Sequence, residues 1–301
     1  MNSKRTSKYL LPQYISKLKN LEIKAKTIVE GLIAGLHKSP HHGFNVEFKE
    51  HRQYFPGDDI KFIDWRVYAK TDKFFIKRYE EETNLAIYTA LDSSNSMSFQ
   101  FNKNISKFEY AKYLTASILY LALIQNDLPG LTIFSDKIIK FFQPRNSYSY
   151  INDILKMLEN IQTSGKSDFK SNLIKLAENI KRRSLVIIIS DFLLPLDNIT
   201  EALNYLKSKK NDIILFIIND QAEIDFPFNE NIKFIDLETA QSLNLNSYYI
   251  KETYKELFQQ HYKELKSFAL KSKIDICNLT TNIDLGTGLY HYLIKREKIR
   301  G

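Results

Sequence analysis

A single cysteine, Cys277, in a chain of 301 residues has no partner within the chain, which excludes an intramolecular disulfide and points to a reducing compartment. It falls in the apolar stretch Ile274-Asp275-Ile276-Cys277 and reads as an inert buried thiol. Long hydrophobic runs are missing too. The most apolar stretches, Leu185 to Ile189 and Ile213 to Ile218, are far too short to span a bilayer, so no integral membrane segment is expected. No apolar run follows the charged start Met1-Asn2-Ser3-Lys4-Arg5, so no signal sequence is expected either, and the expected location is the cytoplasm. Glycine is scarce, and the two stretches that imitate nucleotide loops both fail. Gly165-Lys166-Ser167 needs a glycine five positions earlier, where Asn160 stands. Leu285-Gly286-Thr287-Gly288 lacks the third glycine of a dinucleotide fingerprint and opens no βαβ unit.

Concentrated charge is also absent. The formal net charge is +8, but lysine and arginine are interspersed with aspartate and glutamate. No basic block carries interleaved aromatics of the kind that stack bases, so a nucleic-acid partner is not expected, whereas an anionic membrane surface or an acidic protein partner fits the overall sign. Three histidines crowd the breaker-rich stretch Leu36-His37-Lys38-Ser39-Pro40-His41-His42-Gly43, yet no further ligand stands at a zinc spacing, and this is read as a solvated loop.

What is present is an ordinary globular composition, 44% hydrophobic and 26% charged, long enough to bury a sizeable core. The apolar run Leu85 to Leu91 leads straight into Asp92-Ser93-Ser94-Asn95-Ser96, a buried strand that ends in a polar loop. Ser106 to Gln125 follows with Phe108, Ala111, Leu114, Ile118 and Leu121 at helical spacing, so the loop lies between a strand's carboxyl end and a helix, where open α/β sheets bind ligands. Upstream, a rough helical period runs from Ile15 to Leu36. Downstream, strands are predicted at 131–135 and 138–142 about Asp136-Lys137, then at 185–189, 213–218, 232–235 and 274–277. Helices are predicted near 149–161, 169–180, 199–207, 249–272 and 288–296. Strands alternating with helices imply right-handed crossovers and a doubly wound, mostly parallel α/β sheet flanked by helices. In the long helix, the apolar stripe is read as Tyr254, Leu257, Phe258, His261, Leu265 and Phe268, with His261 a satisfied core or rim histidine and not a ligand. Lys295 to Arg300 reads as a solvated tail.

Asp92, Ser94 and Ser96 alternate, so one carboxylate and two hydroxyls converge while Ser93 and Asn95 face elsewhere. That is half of an all-oxygen shell that suits a hard cation such as Mg²⁺. Asp-x-Ser-x-Ser after an apolar strand resembles the first segment of the metal-ion-dependent adhesion site of von Willebrand factor type A domains. A second stretch is crowded with charge: Arg52-x-Tyr54-x-Pro56-Gly57-Asp58-Asp59, then Ile63-Asp64-Trp65-Arg66, Ala69-Lys70 and Tyr79-Glu80-Glu81-Glu82. Pro56-Gly57 suits the centre of a type II turn, and Trp65 reads as a core anchor. In this order, directly ahead of the Asp92 strand, the motif resembles the bacterial family known as domain of unknown function 58, which is similar to von Willebrand factor type A domains.

The resemblance implies a division into an amino-terminal family segment, 1–82, and a von Willebrand factor type A-like domain, 83–301. It also implies two further ligands. Asp191, at the end of the 185–189 strand, matches the third loop. Ser167 stands where the family usually has threonine, with Thr163 the alternative; serine keeps the oxygen but loses the methyl that restricts its rotamer. The implied metal set is therefore Asp92, Ser94, Ser96, Ser167 and Asp191, with Mg²⁺ or Mn²⁺ as cofactor and an acidic residue of a protein partner at the open position. No nucleophile with an adjacent base is legible, so a binding module is expected in preference to an enzyme. The resemblance further implies that the partner is a MoxR-type AAA+ ATPase and that the pair acts in protein maturation or complex assembly. The alternatives are a metal-free scaffold of the same fold and an Mg²⁺-dependent hydrolase.

Overall fold

The computed structural model describes residues 11–36, 51–53, 75–77, 85–101, 105–228, 231–238 and 241–300. The His37–Gly43 loop, Pro56-Gly57, Trp65 and the Tyr79–Glu82 run lie outside the described residues. Among the described residues two helices come first, α1 (Pro12–Ile15) and α2 (Leu21–Leu36), in place of one continuous helix from Ile15. The interruption has a local cause. Asn20 accepts from the Ile23 backbone N–H through its side-chain oxygen at 2.8 Å, so it starts a new helix as a capping residue does. A short antiparallel pair, β1 (His51–Gln53) with β2 (Phe75–Lys77), follows.

The main sheet is built from β3 (Ala86–Asp92), β4 (Leu128–Phe134), β5 (Ile138–Phe142), β6 (Leu185–Ser190), β7 (Asp212–Asn219) and β10 (Asp275–Thr280). Its order is β10-β7-β6-β3-β4-β5, with every neighbouring pair parallel except the β4–β5 hairpin. This is the doubly wound α/β class expected from the alternation of elements. The intervening helices are α3 (Lys107–Ile124), α4 (Tyr148–Asn160), α5 (Phe169–Asn179), α6 (Leu196–Ser208), the short α7 (Gln221–Asp225), α8 (Ser247–Lys271) and α9 (Leu285–Arg300). Strands β8 (Asn231–Ile235) and β9 (Ser242–Asn246) form a separate antiparallel hairpin between α7 and α8. The predicted 232–235 strand therefore pairs with a local neighbour and not with the main sheet.

Both faces of the sheet are covered, so the strands are apolar on both faces. Ile87, Leu91, Ile187, Ile189, Phe216 and Ile218 pack under α2, α3, α4 and α9, while Tyr88, Ala90, Val186, Ile188, Leu215 and Ile217 pack under α5, α6 and α8. Helix α2 lies before residue 83, yet its Ala25, Ile28 and Val29 belong to the same core as β3. Helix α3 is buried on nearly all sides, because α2, α4 and α9 cover the side turned away from the sheet. Strand β4 starts at Leu128, earlier than expected, and runs through Pro129 and Gly130. Pairing with β5 begins only at Leu131, so Pro129 precedes that ladder. Gly130 is required there, since a Cβ would lie 2.8 Å from both the Phe142 carbonyl and the Pro144 nitrogen.

Two outer assignments change. Leu257 is 62% exposed, and the inward face of α8 instead runs through Tyr254, Phe258, Tyr262, Leu265 and Ala269, a spacing closer to the helical period. The basic tail is the end of α9. There Lys295 bonds Asp275 at 2.8 Å and Arg296 bonds the buried Asp127, so the first two cations of Lys295 to Arg300 are packed and paired. Cys277 is buried, and burial pushes its thiol up to about 11, as suits an inert group. Among the described residues no helix is long and apolar enough to cross a membrane.

Candidate metal and partner-binding site

The chain leaves β3, crosses through α3 and adds β4 on one side; β6 then enters on the other side of β3. The carboxyl ends of β3 and β6 thus lie side by side at the point where the strand order reverses, the place where such sheets leave a crevice. Asp92 closes β3 and Asp191 follows β6, which brings two residues 99 positions apart into one buried cluster.

Asp92 Oδ1 accepts from the Ser94 backbone N–H at 2.9 Å. Its Oδ2 accepts from the Ser190 hydroxyl at 2.8 Å and the Ser167 hydroxyl at 3.2 Å, which favours Ser167 over Thr163. The Ser94 and Ser96 hydroxyls are 3.1 Å apart, carried by the short 3₁₀ turn Asn95–Ser98. Ser93 points away, donating to the Phe134 carbonyl at 3.0 Å, and the Asn95 backbone N–H donates to the Gly165 carbonyl at 3.0 Å. Ser164 closes the same contact by donating its backbone N–H to the Ser93 carbonyl at 2.8 Å, so the two loops are stitched together by backbone. Asp191 Oδ1 accepts from the Leu193 backbone N–H at 3.1 Å, and the Ser96 hydroxyl also reaches this carboxylate. The five residues read from the sequence therefore share one site.

Residues not anticipated complete it. Lys107, at the first turn of α3 and fully buried, donates to Asp191 Oδ2 at 2.8 Å and to Glu223 Oε1 at 2.6 Å. Burial opposes its charge, but the two carboxylates outweigh burial and hold the ammonium above the ordinary lysine range. Asp191 is likewise held below the usual carboxylate range: burial works against its charge, and Lys107 with the hydrogen bonds prevails. Asp92 has no such partner. Burial and the Asp191 charge push its carboxyl up to about 6 despite the bonds from Ser94 and Ser190. Phe192 adopts a left-handed φ of 56° directly after Asp191, a costly conformation for a bulky residue. It is held there by the Ser190 hydroxyl, 3.1 Å from its N–H, and by His261 Nε2, 2.8 Å from its carbonyl. Since a carbonyl only accepts, His261 donates through Nε2, as befits a rim residue. The Tyr262 hydroxyl bonds the Asp191 carbonyl at 2.7 Å and Asn219 Oδ1 at 2.8 Å.

Among the described residues, no group of three or more histidine, cysteine, aspartate and glutamate side chains is gathered to hold a metal. The cluster offers two carboxylates, Asp92 and Asp191, and the hydroxyls of Ser94, Ser96 and Ser167. These are all hard oxygen donors of the kind Mg²⁺ and Mn²⁺ accept alongside water. Lys107 is a single cation paired with both Asp191 and Glu223, and Asp92, without a cation of its own, is raised by burial first and by the Asp191 charge second. The donor set fits a divalent cation.

The model of the family described as "Protein of unknown function DUF58" matches residues 50–264, well over half of the chain. The chain belongs to the DUF58 family. Relatives of this DUF58 chain include the protein Rv1480 of Mycobacterium tuberculosis strain H37Rv and Mb1516 of Mycobacterium bovis. Each is 23% identical over 232 residues, covering 76% of this chain and 72% of the relative. Among solved structures, BatB from Bacteroides thetaiotaomicron is similar with a TM-score of 0.48 and 17% identity, covering 71% of this chain and 98% of that one. The SpRpn10 VWA domain is similar with a TM-score of 0.41 and 13% identity, covering 68% of this chain and 94% of that one.

The sequence held faint signals for what was missed in this DUF58 chain. A lysine at the first turn of a helix opposes the helix dipole and needs an anionic partner. Asp220-Gln221-Ala222-Glu223 is a capping-box pattern, and the box is present: Asp220 accepts from the Ala222 N–H at 2.9 Å while Glu223 accepts from the Asp220 N–H at 2.7 Å. Glu223 thereby uses one carboxylate oxygen as a cap and the other on Lys107. Ser190 had no distinguishing pattern.

Proposed function

We propose that this protein is a divalent-cation-dependent protein-interaction module. Asp92, Ser94, Ser96, Ser167 and Asp191 hold Mg²⁺ or Mn²⁺, and an acidic residue of a partner completes the shell. The observation that carries this reading is the pairing of Asp92 and Asp191 at the sheet's switch point, buried among hydroxyls with more negative charge than Lys107 offsets. Binding is favoured over turnover by the state of the neighbouring groups. His261 is committed to the Phe192 carbonyl and Lys107 to two carboxylates, so neither is a free base beside the cluster. Family resemblance is the support for a MoxR-type AAA+ ATPase as the partner and for a role in maturing or assembling other proteins.

One observation favours a second reading, a metal-free scaffold: the Lys107 ammonium is already an internal cation on Asp191. Isothermal titration of Mg²⁺ and Mn²⁺ into the full chain separates the two. Saturable binding that disappears in Asp92→Ala supports the cation-dependent module. Heats that stay at the level of dilution, with and without the ATPase partner present, support the scaffold.

A further inference from the structure

The Lys107 ammonium is shared between two carboxylates that belong to different parts of the fold. Asp191 Oδ2, 2.8 Å away, follows β6 and is one of the candidate ligands, whereas Glu223 Oε1, 2.6 Å away, stands on α7 and is not. Among the described residues no three acidic side chains are gathered to hold a metal, so Glu223 is linked to the candidate site through the lysine.

Both ends of this link are anchored. The Lys107 backbone N–H donates to the Phe99 carbonyl at 3.1 Å, and the Phe99 N–H donates to the Ser96 carbonyl at 3.2 Å, which ties the start of α3 to the loop of Ser94 and Ser96. The ammonium also lies 5.8 Å from the centre of the Phe99 ring. Glu223 is held separately: its Oε2 accepts from the Asp220 N–H at 2.7 Å, and Asp220 Oδ2 accepts from the Thr281 hydroxyl, just past β10, at 3.1 Å. Glu223 therefore keeps its place without help from Asp191. An ammonium and a divalent cation on the same buried carboxylate repel each other with little water to screen them, while a buried lysine without any carboxylate is a stranded charge. The shared geometry avoids both, because the contact to Asp191 can lengthen while the contact to Glu223 stays.

We propose that Lys107 is the resident counter-charge of the candidate site and that Glu223 receives it when Asp191 turns to a divalent cation, so that Glu223 sets cation affinity from outside the ligand set. This rests on the reading of the cluster as a cation site. In the metal-free chain the lysine bridges the two carboxylates; in the loaded chain it pairs with Glu223 alone.

The test uses Mn²⁺ alone as probe, on the full chain as wild type, Glu223→Gln, Lys107→Met and the double variant. Glutamine keeps an oxygen for the Asp220 N–H and loses the charge. Calorimetry below each thermal midpoint, with circular dichroism to establish the fold, gives the affinities. Glu223→Gln is expected to bind Mn²⁺ about tenfold more weakly than wild type, and Lys107→Met more tightly. In the Lys107→Met background the same glutamate change is expected to weaken binding by less than about threefold, because the charge it would receive is gone. Equal losses in the two backgrounds amount to simple charge addition and overturn the hand-over, as does a Glu223→Gln chain that loses thermal midpoint but binds like wild type; either result leaves the cation site standing. If neither wild type nor Lys107→Met takes up Mn²⁺, both readings are overturned.

Discussion

Replacing Lys107 by methionine probes the cluster most directly. The ammonium is 2.8 Å from Asp191 and 2.6 Å from Glu223, its side chain is 1% exposed, and the two carboxylates are 3% and 11% exposed. Methionine fills most of the same volume without a charge, so the loss is electrostatic: two buried carboxylates are left facing each other beside Asp92. Removing one partner of a buried ion pair costs about 3–5 kcal/mol, because the remaining charge stays desolvated. For a chain of this length that corresponds to a fall of about 6–10 °C in thermal midpoint at neutral pH, read by circular dichroism. The sign with pH is also set. Without the lysine the carboxylates are raised above their unfolded values, so the lost stability returns as the solution is acidified and the deficit widens as pH rises through their folded values. Adding Glu223→Leu to the Lys107→Met chain removes one of the stranded charges and should recover part of the loss. A Lys107→Met protein within about 1 kcal/mol of wild type at pH 7 would refute the reasoning, since a functioning buried bridge cannot be lost so cheaply. Mg²⁺ that restores the variant's midpoint more than the wild type's would show that a divalent ion takes over the missing charge.

Asp92→Asn should stabilise the metal-free protein at pH 7. The Asp92 carboxyl lies at about 6 in the folded chain against an ordinary value of 3.8, so its contribution to stability is present below pH 4 and lost as pH rises through 6. The loss amounts to about 3 kcal/mol, and urea titrations of the two proteins at pH 4, 5, 6 and 7 should converge at the acid end and separate above it. Gly130→Ala should destabilise the β4–β5 edge by about 1–3 kcal/mol, because the added methyl meets backbone at Phe142 and Pro144, which cannot rotate away. A thermal midpoint equal to that of wild type would show that the strand crossing is looser than the structure has it.

The sequence by itself determined the strands of the main sheet and their order along the chain. Apolar runs such as Leu185 to Ile189 are too short for buried helices and too continuous for exposed strands, so they declare buried parallel strands wherever they fall. Asp92, Ser94 and Ser96 were legible as a group because their spacing is local, and Ser167 and Asp191 through the motif resemblance, whose parts come in a fixed order along the chain. The start of α3 at Ser106 was legible as well, and there the structure adds that Ser106 accepts from the Glu109 N–H at 3.1 Å, as an N-cap serine does.

What only the tertiary structure decided is which charges meet. Lys107 finds Asp191 and Glu223 across 84 and 116 residues of chain, a pairing that depends on strand order and not on any period. The same is true of Arg296 on Asp127, which turned an expected tail into a packed helix end, and of β9, whose alternation became a strand only against β8. Periodicity reports how a residue's own element is buried. Electrostatic partnership depends on distance in space, and the fold alone sets that distance by bringing β3, β6 and β7 together at one edge.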